Sequence, residues 1–183
     1  MMYIMESNKS KGKKREKSVY FKNVLHRTVI LPFNIMGSNM KQNILTELKS
    51  NLEGKCSTEG YIKKDSIQII SYSAGCLNSS DVSFEVNFEC FICKPVVGMQ
   101  MKCLVENSTK AGIRALFDSN EKPVTIYIAR EQHTNNEEFR KTKENDYILI
   151  KVIGIRYQLN DESVSVLAEL VQNMGAKKIK VKK

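Results

Sequence analysis

The chain has 183 residues, enough for one medium domain or two small ones, and 42% hydrophobic content excludes wholesale disorder. Its net charge of +9 is concentrated at the ends. Residues 1–17 hold six basic and two acidic side chains, Gly175 to Lys183 holds five lysines and no acid, and the body between is neutral. Composition therefore demands no basic face on the folded part. The ends read as solvated arms able to touch nucleic-acid phosphates, or as aids to solubility or nuclear entry. No apolar run reaches the roughly 18 residues of a membrane span. Met1 to Met5 is too short for the apolar part of a signal peptide, and its charges follow it rather than precede it. Five cysteines, odd in number and set among apolar residues, point to a reduced intracellular compartment.

Past the basic arm, Arg27 to Phe33 reads as a strand ended by Pro32. Gly37-Ser38 supplies a turn and N-cap for a helix from about Asn39 to Leu52, whose apolar stripe is Met40, Ile44, Leu45, Leu48 and Leu52. Gly54 fits the helix stop. Tyr61-Ile62 and Ile67–Ile70 read as strands, and Gly75 with Asn78–Asp81 as a turn. From Asp81 the alternation is near-perfect: Val82, Phe84, Val86, Phe88, Cys90 and Ile92 face one side, Ser83, Glu85, Asn87 and Glu89 the other. Period two means a sheet buried on one face. Lys94-Pro95-Val96-Val97-Gly98 must end it, because proline cannot donate to a ladder. One helix against three or four antiparallel strands makes an α+β unit over residues 18–97.

Beyond this seam, strands are predicted at Met99–Val105, Ile113–Phe117, Val124–Ala129, Tyr147–Val152 and Val164–Leu170. Five short strands with one long connection, between the third and fourth, suit a closed OB barrel over residues 98–173. Gly112 is expected where the first barrel strand coils sharply. Residues 174–183 complete the chain as a basic tail.

The order Leu31-Pro32, Gly37, Leu48, Leu52-Glu53-Gly54-Lys55-Cys56, Gly60-Tyr61-Ile62, Gly75, the alternating strand, then Lys94-Pro95-Val96-Val97-Gly98 resembles the seventh subunit of eukaryotic RNA polymerase II. It is similar in the same way to the archaeal counterpart of that stalk subunit. The resemblance covers about residues 20 to 171. It implies a truncated ribonucleoprotein-like N-terminal domain joined to a C-terminal OB barrel, in which Lys110-Ala111-Gly112-Ile113 marks the coil and Tyr147–Gly154 the fourth strand. Two positions depart from the family pattern: Met99 stands where an acidic residue is usual, and Ile113 and Arg114 where an aromatic is frequent. The basic arms and a composition rich in isoleucine, lysine and asparagine point to a divergent member from a large DNA virus.

What the resemblance implies is a non-catalytic stalk subunit beside the RNA exit path. The loop after the helix would wedge into the polymerase core of large and small subunits, through Gly54, Lys55, Cys56, Gly60, Tyr61 and Ile62. Two glycines allow close backbone approach and Tyr61 offers apolar area with a polar end; the competing reading is that both glycines serve tight turns. A small helical stalk partner would pair along the junction at Cys93, Lys94 and Pro95. Localisation would be with the transcription machinery, in the nucleus, or in host cytoplasm or virion for a viral member.

An OB strand face binds nascent RNA by combining stacking rings with cations along the backbone path. Lys110, Arg114, Phe117, Tyr127, Arg130 and Arg156 are the candidates, with Phe117 and Tyr127 equally open to a role in the barrel core. Cys90-x-x-Cys93 is no zinc motif, since residues three apart on a strand face opposite ways and no second pair follows. Packing is the expected role of all five cysteines, and His26 and His133 are expected at the surface. No phosphate loop, nucleophile elbow or HExxH is present, and Glu137-Glu138 and Asp161-Glu162 read as solvated pairs, so neither active site, metal nor cofactor is expected. The rival function is a freestanding OB-fold RNA-binding factor in translation or RNA decay; a nuclease lacks any acidic metal cluster in sequence.

Overall fold

The computed structural model describes residues 19–35, 37, 39–117, 121–134 and 136–176. Nearly all of both basic arms, and Ser38, fall outside the described residues. The elements run β1 (Tyr20–Pro32), a 3-10 turn (Phe33–Ile35), α1 (Met40–Leu52), β2 (Cys56–Ser57), β3 (Gly60–Ile62), β4 (Gln68–Tyr72), β5 (Cys76–Asn78) and β6 (Asp81–Cys93). There follow β7 (Gln100–Ser108), β8 (Gly112–Phe117), β9 (Val124–Ala129), a 3-10 turn (Arg130–His133), α2 (Glu137–Lys141), β10 (Asp146–Arg156) and β11 (Val164–Ala176).

The first sheet is organised by β6. Its alternation puts Val82, Phe84, Val86, Phe88, Cys90 and Ile92 on one face, each at most 4% exposed. Burying a side chain of this size contributes about 1.5–3 kcal/mol, so this single face is a main source of the unit's stability. α1 closes over it with Ile44 and Leu48. β1 runs antiparallel to β6 without a register shift from Tyr20 opposite Cys93 to Pro32 opposite Asp81. On β6's other side, β3, β4 and β5 pair with successive stretches, and β2 pairs with β3. Past α1, Gly54 adopts φ +74°, the left-handed turn that glycine tolerates. The Glu53 carboxylate then accepts the N–H groups of Asp65, Ser66 and Ile67 at 3.0–3.1 Å, fixing the turn into β4.

The second sheet closes as β7-β8-β9-β11-β10 and back to β7, with β9 and β11 parallel and the other pairs antiparallel. This is the five-stranded OB order. Met101, Cys103, Val105, Ile113, Ile126, Ile128, Ile148, Ile150, Val166 and Ala168 fill its interior. The 3-10 turn and α2 cap one end. There His133, 5% exposed, accepts the Leu170 N–H on Nε2 and donates from Nδ1 to the Ala129 carbonyl, both at 2.9 Å. Its ring stacks on Phe139, with centroids 5.2 Å apart.

Several expectations need correction. β1 begins at Tyr20 rather than Arg27, because pairing with β6 carries its polar first half. β5 forms between the turn signals Gly75 and Asn78–Asp81, where no strand is expected, and β10 continues through a bulge at Val152/Gly154 to Arg156. The long polar connection holds α2, capped by Asn136, whose side-chain oxygen accepts the N–H groups of Glu138 and Phe139. Gly112 opens β8 rather than coiling the first barrel strand. A Cβ there would sit 2.4 Å from the Ile128 carbonyl oxygen, so glycine is required by the approach of β9. His133 is buried, and Cys76 is exposed while the other four cysteines pack inside.

Candidate nucleic-acid interface and docking surfaces

The two units meet along a polar and apolar seam. Tyr61 lies opposite both Cys56 on β2 and Cys93 on β6, and the three join the core cluster that continues into the barrel. Around them, the Cys56 N–H donates to the Asp161 carbonyl and the Asn160 N–H to the Cys56 carbonyl, both at 2.8 Å. Tyr157 donates its hydroxyl to the Thr58 carbonyl at 3.3 Å. On another side, Glu121 accepts from the Tyr20 hydroxyl and the Lys64 N–H, each at 3.3 Å. The hinge is pinned to β10 by the Gly98 N–H on the Val152 carbonyl and the Val152 N–H on the Met99 carbonyl. Burial raises the Cys56 thiol to about 11, and the Cys93 thiol and Tyr61 phenol to about 12, so all three are neutral packing groups near pH 7.

This burial changes the role expected of the loop after α1. Cys56 and Tyr61 are 2% and 1% exposed, and Ile62 is fully buried beneath α1. Gly60 is buried too, at φ +134°, where a Cβ would meet the Cys93 carbonyl oxygen at 2.8 Å. Tyr61 and Ile62 are therefore not an exposed wedge in this chain: the side chains that look free in sequence are consumed by the seam on one side and the α1 core on the other. Gly54 and Lys55 remain half-buried, with Lys55 Nζ donating to the Ser50 carbonyl at 3.2 Å. At the turn of the β2–β3 hairpin, Glu59 is gripped by Arg27 at 2.7 and 2.8 Å. Burial opposes its charge, but the hydrogen bonds from Arg27, Ser57 and Thr58 outweigh it and hold the carboxyl at about 2. Cys93 and Pro95 are buried as well, leaving Lys94, Val96 and Val97 exposed at the junction.

One group of exposed apolar side chains lies at the end of the first sheet far from the barrel. Phe33 (61% exposed), Ile35 and Leu77 (63%) project there, on segments joined by the Phe33 N–H to Ser80 carbonyl bond at 3.0 Å. Sequence reasoning misses this surface because Leu77 stands between the turn signals Gly75 and Asn78–Asp81 with no strand pattern of its own; the apolar pair Phe33 and Ile35 directly after Pro32 is the available signal.

On the barrel, the RNA candidates divide. Arg114 of β8 and Tyr127 of β9 are direct cross-strand partners on the outer face, and Leu167 of β11 continues their row. Tyr127 is 46% exposed, which decides against a core role. Beside this row lies a cleft of about 370 Å³ lined by Thr109, Ala111, Gly112, Arg114, Tyr127 and Leu167. Arg130 donates to the Thr109 carbonyl at 3.2 Å and lies over the Phe139 ring, and Lys110 is exposed in the adjoining loop. Arg156 sits one outward row away, opposite Ser165, which in turn lies opposite Thr125. Phe117 packs against the barrel core. Arg114 carries an ion pair with Glu106 at 3.1 Å, so a phosphate there would compete with a carboxylate. OB barrels bind oligonucleotides on the second and third strands and the loops flanking them, including the loop between the fourth and fifth. Here the β10–β11 loop is committed to the seam through Asn160 and Asp161, which leaves the β8–β9 face and the β7–β8 loop.

Over 173 residues the chain is 30% identical to the DNA-directed RNA polymerase subunit L376 of Acanthamoeba polyphaga mimivirus, covering 85% of this chain and 84% of that protein. The chain belongs to the subunit 7 family of DNA-directed RNA polymerases. It is also 23% identical over 154 residues to RNA polymerase II subunit 7 of Arabidopsis thaliana and to subunit RPB7 of Glycine max, covering 75% of this chain and 85% of each relative. No family model matches the chain. As a subunit 7 homologue it is a component of transcription machinery, and association with an RNA polymerase core follows. Subunits of this type are accessory to the enzyme they join. No helix among the described residues is long and apolar enough to cross a membrane.

Proposed function

We propose that this chain is a non-catalytic stalk subunit that docks on a polymerase core through its N-terminal unit and guides nascent RNA over the outer face of its barrel. The observation that carries the RNA part is the row Arg114–Tyr127–Leu167 beside an open cleft, with Lys110, Arg130 and Arg156 near it. One exposed ring supplies a single stacking platform, worth about 1–3 kcal/mol per base, and surrounding cations supply sequence-independent attraction to phosphate. Such weak, sequence-tolerant contact suits guidance of an emerging transcript rather than sequence reading. The basic arms add phosphate attraction at both ends of the chain.

Core docking is supported by the apolar end formed by Phe33, Ile35 and Leu77, with the Gly54–Ile62 loop contributing through exposed Thr58 and half-buried Lys55 and Glu59. A small helical partner fits the junction, where Val96 and Val97 are exposed beside Lys94 and Phe91 is 42% exposed on β6. The chain then acts with the transcription machinery wherever its polymerase resides, and the metal and nucleotide chemistry belongs to the large subunits.

The test of the RNA assignment is crosslinking of nascent transcript in polymerase reconstituted with the Arg114→Ala and Tyr127→Ala double variant. Crosslinks to the barrel are expected to fall about tenfold or more, from the loss of one stack and one cation. Wild-type crosslinking by the double variant would overturn the barrel-face reading.

A further inference from the structure

Arg114 stands directly across the β8–β9 ladder from the exposed ring of Tyr127. Among the described residues it is also the one candidate RNA-contacting cation that carries an ion pair: Lys110, Arg130 and Arg156 carry none, whereas Arg114 Nε lies 3.1 Å from Glu106 Oε2. A bulge places that acid. Along β7 and β8, Val105 lies opposite Ala115 and Asn107 opposite Arg114, which leaves Glu106 as the extra residue. Such a bulge re-aims a side chain at the expense of a ladder position. Glu106 and Asn107 thus both come to Arg114, one through its ion pair and the other as the cross-strand partner that lines the same cleft. The outer row therefore begins on β7 with a carboxylate and continues through Arg114, Tyr127 and Leu167.

The fold gains little from this pair. The side chains of Glu106 and Arg114 are 38% and 53% exposed, and ion pairs in such settings contribute little to stability. Its effect falls on whatever anion approaches Arg114. A phosphate must displace a carboxylate, so the net attraction is smaller than the bare cation would give. When the phosphate leaves, the guanidinium returns to Glu106 instead of standing unpaired. An advancing transcript breaks each phosphate contact as it moves, and recapture of Arg114 offsets part of that loss.

We propose that Glu106 is a built-in competitor for RNA phosphate at Arg114, which keeps the barrel's hold on single-stranded RNA weak and exchangeable. Glu106 acts through Arg114 and is a positioning residue of the RNA surface. This rests on the reading of the barrel face as that surface and adds the residue that sets the strength of the contact.

The experiment is fluorescence anisotropy of a labelled oligouridine of about 12 nucleotides, titrated with the full chain over a range of salt. Glu106→Gln keeps an acceptor for Arg114 Nε and removes the charge; it is expected to tighten binding about three- to fivefold at low salt. Its slope of log affinity on log salt should steepen by up to about 0.7, because the carboxylate freed in wild type takes up a cation and offsets one released by the RNA. Arg114→Gln is expected to weaken binding, and in that background Glu106→Gln should change affinity less than about twofold. Glu47→Gln makes the same change of charge on α1 of the other unit and should leave affinity unchanged. Thermal unfolding confirms that the variants fold. Unchanged or weaker binding by Glu106→Gln, with Arg114→Gln weakened, would overturn the inference and leave the barrel face as the RNA surface. An equal gain from Glu47→Gln would overturn it by reducing the effect to net charge, and an undiminished gain in the Arg114→Gln background by showing that Arg114 does not carry it. Wild-type affinity in Arg114→Gln would overturn the barrel-face reading, and this inference with it.

Discussion

Replacing Tyr61 by alanine tests whether the seam, rather than a polymerase pocket, holds this ring. The side chain is 1% exposed and lies between Cys56 and Cys93 in a cluster shared with the barrel. A buried tyrosine removes roughly 150–250 Å² from water, worth about 4–6 kcal/mol at ~25 cal/mol per Å². Large-to-small aromatic substitutions in cores cost roughly 3–5 kcal/mol once the alanine that remains and the cavity are counted, so about 4 kcal/mol is expected. For a chain of this size that lowers Tm by roughly 8–16 °C. The phenolic oxygen has no hydrogen-bond partner among the described residues, so Tyr61→Phe should stay within about 1 kcal/mol of wild type or exceed it. The assay is urea unfolding followed by circular dichroism on the isolated protein. A loss below about 1 kcal/mol in Tyr61→Ala would refute the packed seam and return the ring to the surface.

Gly112→Ala should cost about 1–3 kcal/mol, because the new Cβ meets backbone at 2.4 Å and β9 must shift, whereas Gly154→Ala, whose nearest neighbour is at 3.8 Å, should be close to neutral; equal effects in thermal melts would contradict the close β8–β9 approach. Glu59 is held at about 2, below its ordinary 4.5, so its contribution is full above about 4.5 and is lost as pH falls from there through about 2. Arg27→Met should flatten the stability profile across that window and leave its slope near neutrality unchanged; an unaltered acid limb would show that the pair contributes nothing.

Much of the architecture is legible in the chain because β6 states its burial in strict period two and Pro95 marks where the ladder must stop. The barrel strands are legible for the same reason, and Gly112 for its missing side chain, although the cause is the β9 carbonyl rather than a coil. The site is harder to read. Tyr61 and Ile62 look alike in sequence to an exposed docking element, and only the pairing of β3 with β6 reveals that one faces the seam and the other α1. His133 looks like a surface residue because nothing local signals that the Leu170 N–H, 37 positions away, needs an acceptor. Arg114 and Tyr127 are found by the opposite logic: polar and aromatic residues at outward positions of adjacent strands remain visible in sequence, but the Glu106 ion pair across the β7–β8 bulge does not.

Membership of a transcribing complex is tested most directly by purifying the tagged chain from its native setting under conditions that preserve assemblies and measuring co-purifying proteins by quantitative mass spectrometry. Large RNA polymerase subunits should be recovered in a one-to-one ratio with the tagged chain. Ribosomal or RNA-degrading components at that ratio, with polymerase subunits at background, would contradict the assignment.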